Sequence, residues 1–302
     1  MRYRFGIQVA PEAGGLQRVR ALARVADEDG LDLFGVQDHP YAAGLADTMA
    51  VIATVLADTE RLRVFPDVAN LPLREPAVLA KQAATLDLLS GGRFELGLGA
   101  GGFWPAINAM GGPRRTAGEA LRALGEAIEI IRAMWRPGET VRVAGEHYAV
   151  SGVHAGPAPA HPVGIWIGAV GPKALAFTGR VGDGWAAPIP HYLPYEKWRA
   201  SQDVITRAAE VAGRDPSAVT RVAQLVGDIT EAPGTVRLQG EEPIRTDAAG
   251  WARVLADLAS ETGFDSFVYW PEDSGESQIR RWGREVVPAA QALLSAQAGR
   301  TE

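Results

Sequence analysis

Short apolar runs alternate along this chain with longer stretches in which apolar side chains recur at helical spacing. Phe5-Gly6-Ile7-Gln8-Val9 reads as a strand, and Leu16, Val19, Leu22, Ala23 and Ala26 mark one helix face that Gly30 ends. Leu33 to Gln37 is a second strand, stopping at Asp38-His39-Pro40, and a helix from about Thr48 to Asp58 follows. The stretch Arg63 to Gly102 is the clearest unit. Its Val64–Val68 run breaks at Asn70-Leu71-Pro72. A helix then opens at Pro76, where the missing N–H costs nothing, and closes at Gly91-Gly92. Val78, Leu79, Gln82, Ala83, Leu86 and Leu89 follow helical spacing in it, and Phe94 to Gly99 is the next strand.

The alternation then continues. Leu121, Leu124, Ile128, Ile131 and Trp135 predict a long amphipathic helix from near Thr116. Strands are expected at 163–167, 183–187, 219–229 and 266–270, with helices at 172–180, 195–211, 247–260 and a closing one through Ile279, Trp282, Val286 and Leu293. Residues 137–162, with a hairpin around Gly145, and residues 230–246 read as insertions into a single domain spanning 1–302. Eight strand–helix units predict an α/β fold, a (β/α)8 TIM barrel with insertions. A doubly wound open sheet is the rival topology. In a barrel, chemistry belongs at the C-terminal strand ends.

Composition narrows the chemistry. The 302 residues are 47 % hydrophobic, enough for a large core, and a net charge of −6 disfavours nucleic acid or an anionic membrane as partner. With no cysteine, thiolate chemistry, disulfides and Cys-based metal sites are excluded. Neither HxH nor HExxH occurs, so no metal is expected. No basic-then-apolar leader precedes Phe5 and no apolar run approaches membrane-spanning length, so a cytoplasmic protein is expected.

Several strand ends carry candidate chemistry. Gly97, Gly99 and Gly102 spell G-x-G-x-x-G, but Phe103-Trp104-Pro105 and Gly111-Gly112-Pro113 intervene before the next helix, which rules out a dinucleotide site of that kind. Bare backbone at Gly99 and Gly101 still admits a flat ring. Gly168-Ala169-Val170-Gly171-Pro172 follows a strand and opens a helix, a place where free N–H groups attract phosphate; an ordinary strand–helix turn reads equally well. His39 is placed either to move a proton or to serve as a hydrogen-bonded structural residue. Asp67-Val68-Ala69-Asn70 is a polar strand end, or simply a turn. Phe103, Trp104, Trp185 and Trp270 could wall or floor an apolar pocket, whereas Trp166 reads as core.

The run LPLREPAVLAKQAATLDLLSGGRFELGLGAG, the Asp38-His39 pair, GAVGPKAL with the following VGDGW, and the closing FDSFVYWPED and EVVPA resemble the bacterial luciferase-like superfamily of flavin- or F420-dependent oxidoreductases. The resemblance implies a barrel, usually a homodimer, with a planar ring at its mouth. It implies that Asp38 and His39 contact the ring and the reacting centre, that Asp67-Val68 forms a strand-three bulge often holding a cis peptide, and that Asn70 contacts the ring. It further implies that Ala169 to Pro172 grip the cofactor phosphate. Gly102 stands where sugar-phosphate dehydrogenases of the F420 branch carry a glutamate, which speaks against that substrate and leaves His39 as the proton donor. The expectation is hydride transfer between F420 and an apolar small-molecule substrate, with Phe103, Trp104 and Trp270 at the substrate. An FMN-dependent monooxygenase using reduced flavin from a separate reductase and O2 is the alternative. A non-catalytic flavin-binding protein is a third reading.

Overall fold

In this computed structural model, which describes residues 3–273 and 275–299, the apolar runs become parallel strands. They are β1 (Arg4–Val9), β2 (Leu33–Val36), β3 (Arg63–Pro66), β4 (Leu96–Gly99), β5 (Ile165–Gly168), β6 (Gly184–Ala186), β7 (Thr220–Ile229) and β8 (Ser266–Pro271). β1 pairs with both β2 and β8, β3 with β2, and β4 through β8 pair in succession, all in parallel. The junction between β3 and β4 is held by a bridge from Val64 to Phe94 and by Ala69–Asn70, which pairs with Leu98 and Gly99. Between those contacts the chain bulges at Asp67 and Val68, whose shared peptide is cis. The sheet is therefore a nearly closed barrel, and the open doubly wound topology is overturned.

Among the described residues, eight helices of ten residues or more pack around it: α1 (Leu16–Glu28), α2 (Thr48–Asp58), α3 (Pro76–Ser90), α4 (Ala117–Met134), α5 (Pro172–Val181), α6 (Trp198–Val211), α7 (Ala248–Asp257) and α8 (Val287–Ala298). Local sequence sets their ends. Thr116 and Glu119 form a reciprocal capping box at the start of α4, and Gly91 ends α3 in the left-handed conformation at φ 69°.

Three details differ from the sequence reading. Residues Trp104–Ala109 form a short helix inside the loop after β4. The closing segment is broken into Glu276–Arg281, a widened turn at Trp282–Val286, and α8, with Leu294 rather than Leu293 facing the core. On α3, Leu79, Ala80, Ala83 and Leu86 are buried, whereas Val78 and Leu89 point outward. Residues Thr140–Ala144 and Ala149–His154 form an antiparallel hairpin, and Ile244–Thr246 adds a parallel partner beside the end of β7. Among the described residues no helix is long and apolar enough to cross a membrane.

The core has two compartments. The larger lies between strands and helices. The smaller fills the barrel itself with Leu33, Phe65, Trp166, Val222 and Val268.

Candidate active site

Strand alternation carries that inner layer up to the mouth. Two residues beyond Leu33, Phe65, Trp166, Val222 and Val268 come Gly35, Asp67, Gly168, Gln224 and Trp270, on the same inward face. Four of these, Asp67, Gly168, Gln224 and Trp270, line a cavity of about 250 Å³ at the C-terminal strand ends. The interior thus changes from wholly apolar to partly polar in one register step.

Val68 rises into the centre of this floor. A Cβ on Gly99 would lie 2.8 Å from Val68 Cγ2, and one on Gly168 would lie 2.9 Å from it. These glycines therefore make room for the Val68 side chain, and both still line the cavity. Gly101, at φ 96°, turns the chain away at the cavity edge.

Asp38 follows β2 and is fully enclosed. Its carboxylate accepts from Arg74 Nε at 2.8 Å and Nη2 at 2.7 Å, and from the Asn70 backbone N–H at 2.8 Å. Burial pulls the Arg74 guanidinium down, but the bonds and charge of Asp38, helped by Asp47, hold it above its ordinary value. Asp38 is therefore an anchor for the Asn70 segment. The side-chain Oδ1 of Asn70, buried in the cavity wall, has no hydrogen-bond partner among the described residues. It is an acceptor awaiting a donor.

His39 stands at the cavity with its Nδ1 2.7 Å from Tyr41 Oη. Burial lowers its pKa below the ordinary 6.5, and the nearby Asp38 charge offsets part of that. Burial likewise pushes the Tyr41 hydroxyl up to about 12. Phe103 packs edge-on against His39 at 5.8 Å and against Tyr192 at 6.2 Å, completing an aromatic wall.

Other expected residues sit elsewhere. Trp104 begins the short helix with its ring beside Gly101, outside the cavity lining. Trp185 is core, stacked 5.8 Å from Phe264 with its indole N–H donated to the Ala169 carbonyl at 3.0 Å. Val170 lines the cavity, while Ala169, Gly171 and Pro172 do not; Gly171 and Pro172 are exposed at the uncapped start of α5. A phosphate there would lie beside the cavity, at the helix N-terminus. Sequence reading missed Tyr41, Tyr192, Gln8 and Gln224. Only the two glutamines left a signal, as polar residues inside otherwise apolar strands.

The family model described as luciferase-like monooxygenase matches residues 3–233. The chain belongs to that family. Among curated relatives, this luciferase-like oxidoreductase is 30 % identical over 237 residues to the F420-dependent glucose-6-phosphate dehydrogenase of Nocardia farcinica, covering 73 % of this chain and 67 % of that one. In fold it is similar to the coenzyme F420-dependent tetrahydromethanopterin reductase of Methanopyrus kandleri, with a TM-score of 0.81, 19 % identity, and 95 % and 99 % of the two chains covered. It is also similar to the FMN-bound oxygenating constituent of 3,6-diketocamphane monooxygenase from Pseudomonas putida, at a TM-score of 0.76, 16 % identity, and 95 % and 98 % coverage.

A flavin-type ring fits what this luciferase-like barrel presents. Val68 offers an apolar face, Asn70 Oδ1 an unfilled acceptor for a ring N–H, and the exposed start of α5 a place for a phosphate.

Proposed function

We propose that this luciferase-like enzyme transfers a hydride between coenzyme F420 and an apolar organic substrate at the barrel mouth. One observation carries the substrate class: no lysine or arginine lines the described cavity, whose walls are aromatic, aliphatic, amide, imidazole and carboxyl. A phosphorylated sugar would leave its charge without a cation there. Gly102, also at the cavity, brings no carboxyl to it.

The bound cofactor would supply a ring able to give or accept a hydride. The chain's own residues do the rest. Val68 supports the ring's face, Asn70 Oδ1 receives its N–H, and Phe103 with Tyr192 excludes water. A neutral His39 whose Nδ1–H is donated to Tyr41 Oη presents a lone pair at Nε2. It takes the proton from a substrate hydroxyl as the hydride leaves carbon, and returns it in the reverse direction.

Parallel titrations of the purified protein with F420 and FMN test this. F420 is expected to bind more tightly; tight FMN binding without F420 binding replaces hydride transfer by the FMN-dependent monooxygenase reading, which the family's description favours. His39→Ala is expected to abolish turnover while leaving cofactor affinity intact. Unchanged turnover would point to a role for the imidazole outside the chemistry. A separate reductase supplying reduced cofactor, a cytoplasmic setting and a homodimer complete the proposal. The apolar Val78, Leu88 and Leu89 exposed on α3 support self-association, which sedimentation would measure.

A further inference from the structure

We propose that Asp67 meets the bound ring as a neutral acid, donating its proton to an acceptor atom of the heterocycle, so that cofactor binding takes up a proton from solvent. This rests on the reading that a flavin-type ring occupies the mouth, and extends it to a residue whose chemistry that reading leaves unused.

The surroundings of Asp67 lack compensation for a negative charge. Gln224 Nε2 donates to Oδ1 at 2.8 Å. The Gln8 amide, with its nitrogen toward the carboxyl, donates to Oδ2 at 3.1 Å and to the Gly35 carbonyl at 3.2 Å. Both partners are neutral. Around them, β2 contributes Gly35 and then Asp38 and His39, β4 and β5 contribute glycines, β6 contributes Ala186, and β8 contributes Trp270. Tyr41 and Tyr192 are the other titratable groups at the described cavity, and Asp38 is already matched by Arg74. No cation faces Asp67 from any of these elements.

Gln224 occupies one acceptor site on Oδ1 and Gln8 one on Oδ2, and Asp67 itself lines the cavity. An added proton therefore lies toward the ligand. A ring laid over the floor expels the remaining water, which disfavours the carboxylate further and favours the acid. Burial already pushes Asp67 up to about 7, with the Gln224 bond offsetting only part of that. His39 is lowered from 6.5 and Tyr41 raised to about 12, so neither titrates just above neutrality. The ligand class follows: a planar heterocycle with a carbonyl or imine acceptor at the edge over β3 and β7.

The test is calorimetric titration of F420 into the full-length protein from pH 6 to pH 9, in phosphate and in Tris. Wild-type affinity is expected to be flat below neutrality and to fall about tenfold per pH unit above it, with a buffer-dependent heat equal to about one proton taken up. Asp67→Asn, whose amide is a permanent donor, should bind F420 without that pH slope or buffer difference. The ring's own ionisation is common to both proteins and cancels. An equal slope in Asp67→Asn, or no proton uptake by wild type, overturns the inference. Should Asp67→Asn fail to fold by circular dichroism, Asp67→Ser replaces it under the same criteria. F420 binding without uptake sinks this inference alone; no F420 binding by folded wild type removes the functional reading with it.

Discussion

Replacing Arg74 by leucine tests how the mouth is held together. The Asp38 side chain is 1 % exposed and that of Arg74 10 %, so the pair is dry on both sides. Arg74 makes two bonds to Asp38 and a third, at 2.9 Å, to Asp47, whose other oxygen caps the start of α2. One guanidinium thus ties the end of β2, the start of α2 and the loop before α3. In Arg74→Leu, Asp38 keeps a single donor, the Asn70 backbone N–H. Stranding one member of a buried pair costs about 3–5 kcal/mol, whereas Asp47, which is 54 % exposed, loses little to water. Against a typical total of about 5–15 kcal/mol, that is a large fraction of the stability.

Urea denaturation followed by tryptophan fluorescence measures the loss directly. The partner experiment is Asp38→Asn combined with Arg74→Leu. Asparagine still accepts from Asn70 but carries no charge, so the double variant should recover most of what the single variant loses. A single-variant cost below about 1 kcal/mol, the range of surface pairs, would refute the picture of a dry anchor. So would a double variant no more stable than Arg74→Leu.

Further outcomes follow from the same floor. Gly99→Ala or Gly168→Ala places a methyl within 3 Å of Val68 Cγ2; each should cost about 1–3 kcal/mol and at least tenfold in cofactor affinity, and Val68→Ala added to either should restore the affinity. The His39 ring should titrate below 6.5 in the free protein, followed by NMR; a midpoint at or above that value contradicts burial as the dominant influence. Asp67 is raised from 3.8 to about 7 by burial, so its acid form is favoured in the folded state. Its stabilising effect is complete below the unfolded value and lost as pH rises through the folded one, a swing of up to about 4 kcal/mol. Urea melts at pH 4 and pH 8 should therefore show Asp67→Asn gaining on wild type at the higher pH; a constant difference would contradict the raised value.

The strands were legible because both their faces are buried, which leaves continuous apolar runs such as Val163 to Ile167. The Asp38-His39 pair and the polar strand-three end stood out for the converse reason, as polar residues closing apolar runs. The aromatic residues were harder. Trp185 and Trp270 both lie in strands near the mouth, yet one is core and the other lines the cavity. Parity separates them: Trp270 shares the inward face of Val268, while Trp185 alternates with the cavity-lining Ala186. Proximity to a strand end does not contain that information, but counting in twos does. Tyr41 and Tyr192 escape even this count, because they sit in loops whose path no periodicity specifies.

The same parity explains why the cavity lies at this depth. In the apolar layer Leu33, Phe65, Trp166, Val222 and Val268 fill the barrel with large side chains. One step higher, two of the five positions are glycine, and the space they leave is used in different ways. At Gly168 it admits Val68, and at Gly35 it admits the Gln8 amide, which sits where a Cβ would be. The first glycine shapes the apolar face offered to the ring, and the second seats an amide against Asp67. Substituting Gly35 would therefore displace Gln8 and leave Asp67 with Gln224 alone, changing the acid without touching it. The barrel supplies the depth, and the choice of small residues at one level decides what chemistry is seated there.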